Sequence, residues 1–276
     1  MPGSNIEFCK HTLDQDEKLY FINLLNELDK NPSELLDFLS AKNSHLLGKY
    51  FEALVEFWLN KSPSKELLVS NLQINSNSQT IGEIDFIYKD FSVNKLIHLE
   101  TVGKFFLWIN DNFEFSSFVG PNPNDSLDKK IFRIINYQIP LVKSDEGRNT
   151  LKLMGIKDEI ESKVLFKGYL FTPIGKEIHA SFIYDNFFRG FWLRSKELNM
   201  IENRKSFWKI LKRKEWVSPY FTDNKSQLSD WNTIKEKIEV EFTAKNYPIL
   251  LSEIIHEENN FAEKNRFFIT PPEWIK

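Results

Sequence analysis

The sequence has very little cysteine: among its 276 residues, only Cys9 carries a thiol. A single cysteine cannot form a disulfide within the chain or a zinc site built from several thiolates, so both are excluded. Long apolar runs are also missing, because no window reaches the roughly 18 residues of a membrane-spanning helix. The first residues lack the apolar stretch of a secretory signal. We therefore expect a cytoplasmic protein with no membrane partner.

An excess of positive charge is absent as well. Lys and Arg total 36 against 39 Asp and Glu, which gives a formal net charge of −3. Nucleic-acid-binding surfaces are usually basic, so any phosphate binding must come from a local patch. The sequence contains no phosphate-cradling glycine loop, no nucleophile-elbow serine motif and no His-Glu-x-x-His motif. We expect no small-molecule organic cofactor.

The composition that is present belongs to a globular protein, with 41% hydrophobic residues, 27% charged residues and 25 phenylalanines. Apolar residues recur at helical spacing in 16–30 and 46–60, and a short helix is predicted from Pro32. The buried stripe of the third helix is predicted to comprise Leu47, Tyr50, Phe51, Leu54, Phe57 and Trp58. Three β-rich runs follow, at 67–74, 81–88 and 96–101. A helix followed by three strands is the first half of an α/β core.

The second half of the chain is less regular. A helix is predicted from Asp125 or Ser126 to a point before Pro140, followed by a buried strand at 164–171. Further strands are predicted at 187–193, 247–255 and 266–269, with a short basic helix at 206–216. We expect one α/β (α+β) domain with a mixed central sheet flanked by helices. Its predicted parts are N-terminal helices in 1–45, a core in 46–172 and an α+β C-terminal elaboration in 173–276.

Two strands carry residues suited to chemistry. Strand alternation places Glu83 and Asp85 on one face of the second strand, and it aligns His98, Glu100, Val102 and Lys104 on the third. Carboxylates that converge in a partly dry cleft repel each other unless a cation lies between them. Oxygen ligands of this kind suit Mg²⁺ or Mn²⁺, and a nearby lysine can orient an attacking water. Taken alone, the same residues also fit a solvated strand face with a surface ion pair.

The pattern resembles the PD-(D/E)XK nuclease superfamily in three segments: Gly48-Lys-Tyr-Phe-Glu52, Gly82-Glu-Ile-Asp85-Phe, and His98-Leu-Glu100 followed by a lysine. It also resembles a family of uncharacterised bacterial proteins, a domain of unknown function assigned to that superfamily. That likeness continues through Gly120-Pro-Asn, Gly168-Tyr-Leu-Phe, Gly190-Phe-Trp-Leu, Trp216-Val-Ser-Pro and Arg266-Phe-Phe-Ile. The resemblance implies a restriction-endonuclease-like core.

The resemblance also implies roles for individual residues. Asp85, Glu100 and Glu52 would bind Mg²⁺ or Mn²⁺, Lys104 would be the catalytic lysine, and Gln138 would line the site. The sequence departs from the superfamily pattern at one position, because the usual lysine position, two residues after the glutamate, is Val102. Lys104 lies about 7 Å further along the strand, at roughly 3.4 Å per residue. A bulge at Gly103 would shorten this gap.

Other residues admit two interpretations. Lys129, Lys130 and Arg133 are predicted either to bind phosphates or to form a solvated basic face. Glu52 and Glu56 share a helix face and His98 shares the face of Glu100, but such residues are often only solvated or packed. In Trp208–Trp216 the cations and indoles suit nucleic acid, or a helix whose tryptophans anchor it to the core.

Two main functions follow as expectations. The first is a metal-dependent nuclease that hydrolyses phosphodiester bonds in nucleic acid, with DNA as the expected substrate. The second is a nuclease-like fold with weak or no catalysis that binds nucleic acid or protein, which the displaced lysine and the acidic net charge favour. A third, in which the C-terminal part makes the chain a structural partner in an assembly, stays open.

Overall fold

A computed structural model describes residues 15–42, 45–110, 114–176, 188–202, 204–258 and 260–275. The fold is mixed α+β, with helices flanking a large sheet that contains parallel and antiparallel strand pairs. The chain divides into two compact units, one within Met1–Gly103 and Ile131–Lys167, the other within Lys104–Lys130 and Gly168–Lys276. None of the described helices is long and apolar enough to cross a membrane. Cys9 and Phe187 lie outside the described residues.

The first unit begins with three helices and three strands, which confirms the order predicted from hydrophobic periodicity. The helices are α1 (Gln15–Lys30), α2 (Ser33–Lys42) and α3 (Leu47–Lys61). The strands are β1 (Lys65–Ser76), β2 (Gln79–Asp90) and β3 (Lys95–Trp108). They pair as an antiparallel meander, with β2 between the other two. The observed strands are longer than the predicted runs, because polar residues also take part in the ladder.

Helix α3 packs across this meander through a face that overlaps the predicted stripe in part. Its buried residues are Ala53, Val55, Glu56, Phe57 and Leu59, and of the predicted set Phe57 is buried while Phe51 and Trp58 are partly buried against the same cluster as Val55 and Leu59. Val55 and Leu59 pack against β2 and β3, whereas the Phe57 ring contacts Phe38 of α2. Because α3 is covered from two directions, a single-stripe prediction identified only part of its buried surface.

The helical run after β3 is interrupted, contrary to the prediction of one helix that ends before Pro140. It consists of α4 (Leu127–Arg133), a π-helical turn (Ile134–Gln138) and α5 (Ile139–Leu141). Pro140 lies in the first turn of α5, where a missing backbone N–H is tolerated. Helix α6 (Asp145–Leu153), which was not predicted, follows, and the side chain of Ser144 caps its N-terminus by accepting a hydrogen bond from Gly147 N.

The second unit contains the end of β3, which pairs with β4 (Phe118–Val119), and most of the later strands. These are β5 (Ile160–Pro173, which begins in the first unit), β6 (Phe188–Arg194), β7 (Phe207–Ile210), β8 (Phe221–Thr222), β9 (Ile249–Glu257) and β10 (Asn260–Thr270). Strand β6 is parallel to β5 and to β10, whereas β9 is antiparallel to β10 and to β7. The predicted strands in this region are confirmed.

The basic helix predicted at 206–216 is wrong. This segment forms β7 and a 3₁₀ turn at Arg213–Val217, because Trp208 is fully buried in a strand that pairs with β9. The expectation that both tryptophans anchor the segment in the core is confirmed, since Trp216 is also buried. This unit also contains helix α7 (Trp231–Lys245), which sequence periodicity did not indicate.

Candidate metal centre

Three carboxylates of the first unit converge beside α3. Glu52 lies on α3, and Glu83 and Asp85 lie on β2. One oxygen from each carboxylate lies within 4.8 Å of the corresponding oxygens of the other two. Asp85 is buried, and the side chains of Glu52 and Glu83 are 15% and 30% exposed. A set of hard oxygen donors that is open to solvent on one side suits Mg²⁺ or Mn²⁺.

The ammonium of Lys49 lies among these oxygens. Lys49 is in the first turn of α3, three residues before Glu52, and its Nζ donates to Glu52 Oε2 at 2.6 Å and to Glu83 Oε1. A third hydrogen bond goes to Asn71 Oδ1 of β1 at 2.8 Å. The ammonium therefore neutralises part of the carboxylate charge and marks a position where these groups accommodate a cation.

Asp85 is held in a fixed orientation by β3. Its Oδ2 accepts hydrogen bonds from the backbone N of Thr101 at 2.8 Å and from the Thr101 hydroxyl at 2.9 Å. Hydrogen bonds to a carboxylate are stronger than those between neutral groups, so this pair orients the side chain well. The ladder between β2 and β3 extends to the pair of Phe86 with Leu99, and Asp85 and Thr101 meet just beyond it.

Strand alternation is interrupted at Asp85. Ile84 and Ile87 pack in one cluster with Leu141, whereas Phe86 packs with Val55 of α3. A strictly alternating strand would place Ile84 and Phe86 on the same side. The interruption brings both Asp85 and Phe86 towards α3.

The neighbouring strand is irregular at the same level. Asn71 of β1 lies between the pairs Ser70–Phe86 and Leu72–Ile84, and it has a φ of 51°. Asparagine adopts this left-handed conformation more readily than most residues. Its amide oxygen consequently reaches Lys49 beside the carboxylates.

The local electrostatics raise the pKa of Glu52. Burial is the largest cause, and the negative charges of Asp85 and Glu83 act in the same direction, against the hydrogen bond from Lys49. Burial alone would lower the pKa of Lys49, but its hydrogen bonds to Glu52 and Glu83 raise it. The carboxylates are therefore incompletely compensated by the lysine, while the lysine is held in its charged form.

The group of three converging carboxylates does not include Glu100. Glu100 and Thr101 are consecutive in β3, so their side chains project to opposite faces, and Thr101 reaches Asp85. Glu100 Oε1 instead accepts a hydrogen bond from the amide of Gln138 in the π-helical turn. Val102, two residues later, packs against Ile134 of the same turn. Of the predicted ligands, the structure thus brings together Glu52 and Asp85.

The predicted lysines belong to the second unit. The ammonium of Lys104 forms an ion pair with Asp125, and Lys129 donates to the backbone oxygen of Asn124 at 3.1 Å. Lys130 also lies in the second unit, while Arg133 is exposed at the end of α4 in the first. Gly103 stays within β3 and approaches Phe51 of α3, since an added Cβ would lie 3.0 Å from that ring.

Sequence reasoning missed three residues of the centre: Glu83 as a ligand, Lys49 and Asn71. The alternation of Glu83 and Asp85 in one strand was a usable signal for Glu83. The positions of Lys49 and Asn71 depend on how α3 and β1 pack, which no local pattern shows. His98 is buried, its Nδ1 lies 3.1 Å from the hydroxyl of Ser162, and burial lowers its pKa to about 4.

The fold and the site define a mixed α+β protein with a carboxylate centre on a helix and an antiparallel meander. A family model, the domain of unknown function DUF1853, matches residues 5–270. The chain belongs to this family, so the resemblance to a family of uncharacterised proteins is confirmed. No curated protein and no solved structure matches the chain significantly.

Proposed function

We propose that the protein is a metal-dependent phosphodiesterase that hydrolyses nucleic acid, with DNA as the substrate. The observation that carries the proposal is the convergence of Glu52, Glu83 and Asp85 to within 4.8 Å of one another. Three such charges repel one another unless a cation lies between them, and the Lys49 ammonium compensates them only in part. The similarity to the PD-(D/E)XK pattern supports the same chemistry.

In this proposal the three carboxylates hold Mg²⁺ or Mn²⁺. The bound ion would supply Lewis-acid activation of the phosphodiester and of a water molecule. Asp85, oriented by Thr101, fixes the ligand geometry, and Glu52 completes the set of ligands from α3. Lys49 stays charged beside the site and is suited to bind a phosphate oxygen.

Nuclease assays with matched variants test this proposal. Purified protein with Mn²⁺ should nick plasmid DNA, and Asp85→Asn should abolish the activity and weaken Mn²⁺ binding in calorimetry. Glu83→Gln should weaken Mn²⁺ binding at least about 10-fold, since even the loss of a group that only orients a ligand typically costs about 10- to 100-fold. Glu100→Gln tests whether the ligands include Glu100, as the superfamily pattern implies, or are Glu52, Glu83 and Asp85. It should weaken Mn²⁺ binding as much as Glu83→Gln does only if Glu100 is itself a ligand. Full activity of Asp85→Asn would refute the proposal.

A second candidate is cation-dependent nucleic-acid binding without cleavage. It is favoured by one observation, the ion pair of Lys104 with Asp125, which engages the lysine that the superfamily pattern would use for catalysis. The same purified protein distinguishes the two functions. Mn²⁺-dependent binding of DNA that leaves the DNA intact would establish the second function, and cleavage that Asp85→Asn abolishes would exclude it.

A further inference from the structure

A cavity of about 490 Å³ adjoins the carboxylate centre, within the first unit. It opens between the end of α2 and the start of α3 and is lined by charged and polar residues. These charged and polar residues are Lys42, His45, Lys49, Glu52, Glu56 and Asn71. Its volume falls in the range of small-molecule sites, roughly 300–1,000 Å³.

The charges that line the cavity are nearly balanced. Lys42 forms an ion pair with Glu56 at 2.7 Å, and Lys49 forms one with Glu52 at 2.6 Å. His45, which also lines the cavity, is exposed. With both glutamates engaged, the cavity offers an anion little net attraction.

A divalent cation would change this balance, because it needs the same oxygens that Lys49 now holds. Lys49 donates to Glu52 and Glu83, two of the three carboxylates of the centre. The lysine side chain is 39% exposed, so its ammonium has room to swing away from the carboxylates. It lines the cavity already, so the displaced charge stays there.

We propose that this cavity binds a phosphate group of the nucleic-acid substrate, and that Lys49 contacts the phosphate once a divalent cation has replaced its ammonium among the carboxylates. The inference rests on the proposed function and adds to it the phosphate site and the order of binding. Cation binding and phosphate binding then strengthen each other reciprocally. Coupling of this kind typically amounts to about 5- to 150-fold in affinity.

Fluorescence anisotropy with a labelled phosphorothioate oligothymidylate, which resists hydrolysis, tests the coupling. Saturating Mn²⁺ should tighten binding to the wild-type protein at least about 5-fold. In Lys49→Met the affinity should be the same with and without Mn²⁺, while Lys49→Arg should retain part of the coupling. Lys61→Met, on the same helix and paired with Glu34, is the matched control and should behave as the wild type. An oligomer with uncharged methylphosphonate linkages should show no tightening.

The outcomes separate this inference from the proposed function. Calorimetry that shows Mn²⁺ binding without tighter probe binding overturns the inference alone. Equal tightening in the wild type and in a folded Lys49→Met also overturns it, because the cation would then act without the lysine. Absence of Mn²⁺ binding by the wild type overturns the proposed function and this inference together.

Discussion

Replacing the Glu52 carboxylate by an amide should stabilise the metal-free protein and weaken its cation binding. Glu52→Gln preserves the side-chain shape and removes one of the three converging negative charges. Loss of one partner of a partly buried ion pair ordinarily destabilises a protein. The opposite sign is expected here because the pKa of Glu52 is raised, so the fold disfavours its ionised form.

The size of the gain follows from opposing charges. At 4.8 Å and an effective dielectric constant of about 20, two unit charges repel by about 3.5 kcal/mol, and Glu52 faces Glu83 and Asp85. Lys49, 2.6 Å from Glu52, offsets most of this repulsion, and water screens the part of it that involves Glu83, whose side chain is 30% exposed. The raised pKa of Glu52 shows that the unfavourable contributions to its ionised form exceed the favourable one from Lys49. We expect a gain in unfolding free energy on the order of 1 kcal/mol at pH 7.

The gain should depend on pH in a defined direction. A carboxyl whose pKa is raised in the folded state contributes stability below its unfolded pKa, and this contribution is lost as pH rises through the folded pKa. The difference between Glu52→Gln and the wild type should therefore disappear below the ordinary glutamate value of 4.5, where Glu52 is protonated.

Urea unfolding followed by tryptophan fluorescence, in chelator at pH 7 and at pH 4, measures this difference. Calorimetry with Mn²⁺ should show at least a 10-fold loss of affinity, on the order of 1.4 kcal/mol. Glu34→Gln is the control, since Glu34 is 61% exposed and its pairing with Lys61 should contribute at most about 1 kcal/mol. A Glu52→Gln protein that is less stable than the wild type at pH 7 in chelator would refute the reasoning, because Glu52 would then be an ordinary ion-pair partner.

Two further predictions concern other parts of the chain. Burial lowers the pKa of His98 from 6.5 to about 4, so the fold should lose roughly 3 kcal/mol of stability as pH falls across that interval. In urea titrations, His98→Gln should flatten this part of the curve of stability against pH. Equal slopes in the wild type and the variant would contradict the prediction. A Cβ at Gly168 would lie 1.9 Å from the carbonyl oxygen of Lys104, so Gly168→Ala should lower the melting temperature strongly or prevent folding. A Cβ at Gly48, in helix α3, would meet no neighbouring atom within 4 Å, so Gly48→Ala should raise stability by up to about 1 kcal/mol. Similar melting temperatures for the two alanine variants would show that the backbone at Gly168 yields.

Hydrophobic periodicity predicted the helices and strands that bury one face against elements close by in the sequence. The meander of β1, β2 and β3 appeared as three β-rich runs because each strand has an apolar side, which packs on α3 in the case of β2 and β3. Periodicity failed where tertiary pairing decides the conformation. The segment around Trp208 has a helical composition, but pairing with β9 makes it a strand. Helix α7 escaped detection because only Ile234 and Ile238 in it are buried.

The residues of the carboxylate centre were also predictable only in part. The sequence indicated Glu52 and Asp85, and alternation indicated that Glu83 shares the face of Asp85. Strict alternation also predicted that Glu100 lies beside Asp85. That prediction assumes a regular β2, whereas the alternation of β2 is interrupted at Asp85. The irregularity lies opposite Asn71, whose φ is 51°. Such a pairing between two strands has no signature in either strand alone.

A comparison within the first unit supports a functional role for the centre over a purely structural one. Glu17 and Lys65 form a buried carboxylate–lysine pair, 2.6 Å apart. Burial would raise the pKa of Glu17, but hydrogen bonds from Lys65, Ser62 and Ser64 lower it, so its charge is fully compensated. Glu52 has a lysine partner at the same distance and yet a raised pKa, because burial raises it most and the negative charges of Asp85 and Glu83 act in the same direction. A carboxylate whose charge the protein leaves uncompensated is one that a cation can stabilise, and perturbed groups of this kind cluster at functional sites.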